Sequence, residues 1–219
     1  LSGTQKRKLL SPAYNAYQQT EEAWEARREN RIVKNNSAQP YEAMVEVQKK
    51  YVGGGVASAI DVDIMVNSLR WKDQLDDLKD IMYKFRHSAQ ACLALDSTNH
   101  AILRLCLEHE HFRLVDFFLK DPINYGVFPD PYIANLLLNR LIERADYGGA
   151  AKLASFIMQQ EMFDNQLTCY LSVYACLKWL ENGGLTNHPW EKQLDEENEE
   201  EEGKAKPTSS RASYEEEEE

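Results

Sequence analysis

Several patterns that mark common classes of protein are missing from this 219-residue chain. No run approaches the roughly 20 apolar residues of a membrane helix, so we expect no membrane insertion. No segment alternates apolar and polar residues well enough to predict a strand. The four cysteines include no C-x-x-C pair, which favours buried thiols in a reducing compartment over a disulfide or zinc framework. The expected class is a globular all-α protein.

Signatures of catalysis are also missing. The segment GGGVAS, residues 53–58, lacks the G-K-[ST] ending of a phosphate-binding loop and is interpreted as a linker. The sequence EHEH at Glu108–His111 raises the hypothesis of a metal site, but residues two apart on a helix diverge by about 200°. No Ser-His-Asp, Cys-His or paired-carboxylate arrangement stands out. We therefore predict no enzyme activity, cofactor, metal or small-molecule substrate.

Negative charge is concentrated at one end of the sequence. Residues 191–219 carry 13 acidic and 4 basic side chains, net −9, whereas residues 1–190 carry 23 and 21, net −2. Such a run is typical of a solvated, disordered tail. Because its charge repels RNA, we expect this acidic tail to point to solvent or to a basic protein neighbour.

What the sequence does contain is a series of apolar patterns with helical spacing. Residues 1–19 are expected to be irregular, with a helix beginning at Thr20. From Ile60 onward the pattern predicts paired helices: 60–71 with 73–87, 98–110 with 112–120, 131–145 with 148–160, and 167–180 as the start of a fourth pair. The predicted division is an N-terminal extension with short helices and a Gly linker (1–55), a helical-repeat domain (56–190) and the tail.

These pairs repeat every 35 residues over roughly three units. Positions spaced by this interval include Leu103, Leu138 and Val173, and also Leu107, Ile142 and Leu177. Two short helices cannot bury both of their apolar faces alone, so stacked pairs share one core. Asp130 and Asn165 stand where they can cap the following helices, and Pro131 suits a first helical position. The predicted fold is a right-handed α-solenoid of antiparallel helical pairs.

One 35-residue unit resembles a known repeat. The unit PYIANLLLNRLIERADYGGAAKLASFIMQQEMFDN, preceded by a G-hydrophobic-x-P-D junction, resembles the pentatricopeptide repeat. The blocks LLSPAYNAYQQTEEAWEARREN, YKFRHS, YGVFPD and NLLL, in this order, further resemble a pentatricopeptide family of the animal mitochondrial small ribosomal subunit. The resemblance covers Leu9 to Trp190. It implies a non-catalytic component in the mitochondrial matrix that contacts small-subunit ribosomal RNA and neighbouring mitochondrial ribosomal proteins.

The resemblance also implies positions that read RNA bases. Pentatricopeptide repeats read one base through the fifth residue of the first helix and the last residue of the repeat. These positions are Asn135 and Asn165 in the best unit, His100 and Asp130 in the unit before, and Tyr170 in the unit after. Helix capping is the preferred alternative for Asp130 and Asn165, and a satisfied buried polar group is the alternative for Asn135. Only one unit carries a code-like pair, so reading of a long RNA sequence is not expected.

Basic side chains are further candidates for RNA contact, because phosphate supplies most non-specific affinity. They fall into four sets: Lys6, Arg7 and Lys8; Arg27, Arg28 and Arg31; Lys84 and Arg86; and Arg140 and Arg144. For any one of them, a solvated surface charge is the commoner explanation. The first set lies in a basic N-terminal arm that is poor in core residues, which predicts an extended contact.

Two other functions stay open at this point. A free pentatricopeptide factor that acts on one mitochondrial transcript would need more than one code-like repeat. A tetratricopeptide-like protein-binding module has similar helical pairs, but usually a 34-residue period and the pattern W-x-x-L-G-x-x-Y. Neither feature occurs in this sequence.

Overall fold

The computed structural model describes residues 12–38 and 40–184, which form α-helices and connecting loops without a strand. The helices are α1 (Pro12–Glu29), α2 (Arg31–Ala38), α3 (Pro40–Tyr51), α4 (Ala59–Ser68), α5 (Asp73–Asp76), α6 (Leu78–Arg86), α7 (Asp96–Glu108), α8 (Phe112–Lys120), α9 (Pro122–Tyr125), α10 (Pro131–Glu143), α11 (Tyr147–Gln159) and α12 (Gln166–Glu181). The prediction of an all-α protein is confirmed for this part of the chain. None of its helices combines the length and the apolar composition that a membrane span requires.

The predicted helical pairs are present within a few residues of their expected bounds. The pair predicted at 98–110 and 112–120 forms α7 and α8, and the pair predicted at 131–145 and 148–160 forms α10 and α11. In the first pair, the helix expected at 73–87 divides into the single turn α5 and the longer α6. The predicted start of a fourth pair is α12, which packs against both α10 and α11.

The 35-residue interval recurs in the caps of the helices. Asp130 accepts a hydrogen bond from the Ile133 amide at the start of α10. Thirty-five residues later, Asn165 accepts from the amides of Leu167 and Thr168 at the start of α12. The second helices follow the same interval, because His111 caps α8 and Asp146 caps α11. The predicted capping by Asp130 and Asn165 is confirmed.

The turns between the two helices of a pair also recur at the 35-residue interval. Glu110 and Ala145 both adopt a left-handed conformation, with φ of 53° and 58°. The amide of the next residue donates a hydrogen bond to a carbonyl in the last turn of the preceding helix. His111 donates to Cys106 at 2.8 Å, and Asp146 donates to Leu141 at 2.9 Å. This is the Schellman arrangement, which satisfies the last carbonyl groups of a helix. Equivalent residues in consecutive units therefore share one backbone geometry.

The junction YGVFPD is a sharp connection between α9 and α10. Gly126 is left-handed, with φ of 69°, and a Cβ there would lie 2.9 Å from Arg86 Cδ. Val127 is fully buried, Asp130 caps α10, and Pro131 opens that helix where its missing N–H leaves no bond unmade. The residue types at Gly126, Asp130 and Pro131 are therefore explained by the backbone conformation and the helix start at this connection.

The N-terminal helix is longer than the sequence predicted. It begins at Pro12, so the expectation of irregular chain as far as residue 19 is wrong for residues 12–19, and Thr20 lies inside a helix rather than at its start. Proline suits the first turn of a helix, and the Ala and Gln residues that follow Pro12 are good helix formers. Trp24, in the same helix, packs in the hydrophobic core.

One hydrophobic core runs through the described part of the chain. It begins with Trp24 of α1, continues through α3, α4, α6, α7 and α8, and reaches α10, α11 and Ala175 of α12. Consecutive first helices are in contact, α4 with α7 and α7 with α10. Each pair thus shares apolar surface with the pair before it.

Candidate RNA-contact and partner-contact surfaces

The three fifth-position residues occupy equivalent places in α7, α10 and α12 but differ in exposure. His100 is 4% exposed, Asn135 is 3% exposed and Tyr170 is 70% exposed. A base can reach a side chain only where the side chain has free surface. In the structure, Tyr170 has that surface, whereas His100 and Asn135 belong to the interior.

His100 contacts Asp130, the other residue that the resemblance pairs with it. Its Nδ1 lies 3.4 Å from Asp130 Oδ2. Burial opposes the charged form of Asp130, but hydrogen bonds from His100 and from the Ile133 amide, with the nearby charge of Arg27, lower the pKa of Asp130 below its ordinary value. Asp130 therefore provides the partner of His100 Nδ1 and also caps α10.

The surface in front of His100 is covered by α1. The Trp24 ring packs edge to face on the His100 ring, with centroids 5.5 Å apart. The guanidinium groups of Arg27 and Arg28 lie 5.9 and 5.3 Å from the Trp24 ring centroid, within cation–π range. Two of the predicted RNA-contact arginines thus pack on the aromatic residue that anchors their own helix.

Three charged or polar contacts join α1 to α7 and α10. Glu21 receives two hydrogen bonds from Arg104 of α7, at 2.8 and 2.9 Å. The hydroxyl of Tyr132, in α10, also donates to Glu21. Arg28 forms an ion pair with Glu108, 3.0 Å apart. Because these contacts join α1 to both α7 and α10, α1 is an integral part of the folded body.

Arg140 and Arg144 converge on one carboxylate. Glu110 lies 2.6 Å from Arg140 Nη2 and 2.5 Å from Arg144 Nη1. The hydrogen bond from Arg140, with the charges of both guanidinium groups, lowers the pKa of Glu110. Glu110 itself lies in the turn after α7, with a left-handed backbone. A phosphate at this place would have to compete with Glu110.

The other basic candidates are exposed or lie outside the described residues. Lys84 pairs with Asp80, 2.5 Å away, and Arg86 Nε donates to the Ile123 carbonyl at 3.0 Å, with both side chains exposed at the end of α6. Arg31 is exposed at the start of α2. Lys6, Arg7 and Lys8 precede the described part of the chain. Arg31, Lys84 and Arg86 are therefore accessible in the part of the chain that the structure describes, as are Arg140 and Arg144, whose side chains are 46% and 45% exposed.

Asn165 and Tyr170 line an open concavity at the start of α12. The concavity has a volume of about 790 Å³, and its wall also contains Pro131, Glu161 and Asp164. The exposed Tyr170 ring has the free surface that stacking on a base requires, but two carboxylates lie in the same wall. Since carboxylates repel phosphate, this concavity favours a positively charged or apolar ligand over RNA.

The EHEH segment forms hydrogen bonds at a helix end. His109 Nε2 lies 2.9 Å from the Arg70 carbonyl, and His111 Nδ1 accepts from the Leu114 amide. Burial lowers the pKa of His111, which agrees with a neutral ring that accepts this bond. No cluster suited to a metal ion occurs in residues 12–38 and 40–184. Burial also raises the pKa of the Cys106 thiol, which makes it a poor nucleophile.

Comparison with known protein families decides the identity of the chain. The model of the mitochondrial 28S ribosomal protein S27 family matches residues 1–216. The chain belongs to this family. Membership in the S27 family makes it a protein of the mitochondrial small ribosomal subunit and points to a structural, non-enzymatic role in the mitochondrion.

Sequence reasoning missed two features of these surfaces. The first is the attachment of α1 through Glu21 and Tyr132, which no spacing along the chain could predict because the two residues meet only after folding. The second is the exposed apolar face of α12. Its signal was present in the sequence, since Val173 and Leu177 continue a series whose earlier members are buried or half-buried.

Proposed function

We propose that this member of the S27 family is an architectural protein of the mitochondrial small ribosomal subunit that supports mitochondrial translation in the matrix. It would contact small-subunit ribosomal RNA and neighbouring ribosomal proteins without catalysis. The family match over residues 1–216 carries the proposal. The fold supports it, because helices that share one core and expose charged side chains suit a part that fills space between RNA and protein.

We propose further that the helical pairs form a right-handed solenoid of the pentatricopeptide type. The shared caps at Asp130 and Asn165 and the shared turns at Glu110 and Ala145 support this arrangement. So does the contact of α7 with α10, and of α10 with α12. Successive units with one geometry and one continuous core are what a solenoid requires.

RNA contact in this proposal uses exposed cations rather than a base-reading code. His100 and Asn135 are buried, and α1 covers the approach to His100. The candidates with exposed side chains are Arg31, Lys84, Arg86, Arg140 and Arg144. The proposal also includes Lys6, Arg7 and Lys8, which lie outside the described residues. Such contacts go to phosphate and position a protein without selecting a sequence. This is also why a free factor that reads one transcript is disfavoured.

The proposal is tested by locating the protein and its RNA contacts together. A tagged chain expressed in mitochondria is followed through a sucrose gradient, and RNA crosslinks in the small-subunit fraction are mapped to peptides. We expect co-sedimentation, with crosslinks to small-subunit ribosomal RNA on the N-terminal arm or the end of α6. Free sedimentation, or crosslinks from Asn135 and Asn165 to a single messenger RNA, would contradict the proposal.

A further inference from the structure

The end of α6 carries a cluster of exposed aromatic and basic side chains. Phe85 is buried in the core, whereas Tyr83, Lys84, Arg86 and His87 are all exposed. Residues three and four apart are neighbours on a helix surface, so Tyr83, Arg86 and His87 share one face of the helix end. Two rings and one guanidinium group therefore lie on the same part of the protein surface.

The rings of Tyr83 and His87 form one aromatic surface, here called the stacking platform. Their centroids are 4.2 Å apart and their planes differ by 33°. The His87 ring is fixed by the backbone, because its Nδ1 lies 2.8 Å from the Tyr83 carbonyl oxygen, which can only accept. This bond leaves Nε2 as the ring atom that can bind a ligand.

A series of aromatic contacts anchors the platform to the core. The Tyr83 ring centroid lies 5.9 Å from that of Tyr125, which in turn lies 4.8 Å from Phe117 and 5.7 Å from Phe118. Phe118 is fully buried. These distances are typical of favourable aromatic pairs. A ligand that stacks on Tyr83 therefore meets a surface that is already ordered, which lowers the entropy lost on binding.

Arg86 is held in place at the same helix end without an ion pair. Its Nε donates to the Ile123 carbonyl at 3.0 Å, and its side chain passes so close to Gly126 that a Cβ there would lie 2.9 Å from Arg86 Cδ. Unlike Arg140 and Arg144, it pairs with no carboxylate of residues 12–38 and 40–184. The terminal nitrogens of this guanidinium group are therefore available to an anion.

Two acids on the same helices are already engaged. Asp80 pairs with Lys84 at 2.5 Å, one turn earlier in α6. Asp121, at the start of α9, accepts hydrogen bonds from the amide and the side chain of Asn124. A ligand for this surface combines a flat ring that stacks with an anion that a guanidinium group binds. Single-stranded RNA presents both groups in every nucleotide, whereas a duplex keeps its bases stacked inside.

We infer that the end of α6 binds an unpaired segment of RNA, with a base stacked on the Tyr83–His87 platform and a phosphate on Arg86. The identification of this RNA as small-subunit ribosomal RNA rests on the proposed function. The chemistry of the platform does not. Because every base has a π face, the platform selects unpaired nucleotides without selecting a sequence.

The first test measures RNA binding by the whole 219-residue chain. Fluorescence anisotropy compares a short single-stranded oligonucleotide with a duplex of the same length. Tyr83→Leu removes the ring but keeps an apolar side chain, and we expect roughly tenfold weaker binding of the single strand with no change for the duplex. Tyr83→Phe should retain binding, because stacking uses the ring and not the hydroxyl.

Three further variants separate stacking from other effects. Tyr174→Leu is the matched control, since Tyr174 has the same 45% exposure as Tyr83, and it should leave binding unchanged. His87→Leu removes the second ring and leaves the contact of Tyr83 with Tyr125 in place, so it tests the platform even where Tyr83→Leu is unstable. Arg86→Gln should lower the salt dependence by about 0.7 in slope, whereas Tyr83→Leu should not alter it.

The second test identifies what covers the platform in the cell. A photo-crosslinking amino acid replaces Lys84 in the tagged chain, and the same probe at Glu46, an exposed position of α3, is the control. Small subunits are isolated on a gradient and the products are mapped. We expect the Lys84 probe, but not the Glu46 probe, to label unpaired nucleotides of ribosomal RNA.

Several results would overturn the inference. They are equal binding of single strand and duplex, equal effects of Tyr83→Leu and Tyr174→Leu, and labelling by the Lys84 probe of another protein, of paired nucleotides, or of residues 1–11 or 185–219 of this chain. A chain that never sediments with the small subunit contradicts the proposed function instead. The dependence of single-strand binding on the Tyr83 ring then still decides whether the platform binds RNA.

Discussion

Trp24 and His100 pack edge to face, with ring centroids 5.5 Å apart, and so join the N-terminal helix to the first helix of a repeat unit. His100 is one of the positions that the resemblance to pentatricopeptide repeats predicted to read a base. Here the position faces an indole of the same chain. The N-terminal helix therefore makes this part of the repeat surface an internal interface.

The Trp24 contact should be a large contributor to stability. Trp24→Ala removes a side chain that is 3% exposed, and we expect a loss of about 3–5 kcal/mol in the free energy of unfolding. Trp71→Ala is the matched control, because Trp71 is 64% exposed and its removal should cost about 0.5 kcal/mol or less. Urea unfolding followed by circular dichroism measures both. Equal losses would show that α1 is not anchored through Trp24.

Glu110 should limit RNA binding at Arg140 and Arg144. Glu110→Gln leaves both guanidinium groups without their shared carboxylate, so binding of a single-stranded RNA oligonucleotide should strengthen and the salt dependence should steepen by about 1–2 in slope. Glu161→Gln is the control, since Glu161 is an exposed glutamate with the same left-handed backbone, φ of 54°. Fluorescence anisotropy at several salt concentrations is the measurement. An equal gain from both variants would mean that net charge alone matters.

Asn165 should contribute to stability by capping α12 rather than by contacting RNA. Asn165→Ala removes the acceptor for two α12 amides and should cost about 1 kcal/mol, whereas Asn165→Ser keeps a capping oxygen and should cost about 0.5 kcal/mol or less. Thermal unfolding distinguishes the two variants. RNA crosslinking in the small subunit provides the second readout, which we expect neither variant to change. A loss of crosslinks in the stable serine variant would instead assign base contact to Asn165.

Asp130 should make stability depend on acid pH. Its pKa is lower in the folded protein than its ordinary value of 3.8, so its stabilising effect is complete above that value and is lost as the pH falls through the folded pKa. Asp130→Asn keeps the cap but not the charge beside His100, so the variant should be less stable at pH 7 and lose less stability between pH 5 and 2. Melting temperatures across this range test the difference.

Asp164→Asn is the control for this titration, because Asp164 is an exposed acid in the turn before α12. The melting temperature of this variant should change with pH between 5 and 2 in the same way as that of the unmodified protein. A curve for Asp130→Asn that runs parallel to the unmodified protein would show that the charge of Asp130 does not contribute.

Much of the architecture was predictable because it is local. Helical periodicity, the Asp130 and Asn165 caps and Pro131 depend on residues within a few positions of each other, and the 35-residue interval repeats that local information. The length of α1 was not predicted, since its polar first turns show no apolar periodicity.

The sequence by itself therefore determined the helical class, the repeat interval, the helix caps and the family to which the chain belongs. Only the tertiary structure decided which candidate residues have free surface. His100 is covered by α1, a helix distant in the chain, and Arg140 is paired with Glu110 from the preceding helical pair. The exposed face of α12 is set by which side of this helix packs on the protein, since Thr168 and Ala175 are buried and Val173 and Leu177 are exposed. Long-range contacts of this kind arise from the whole fold, so no local pattern in the chain records them.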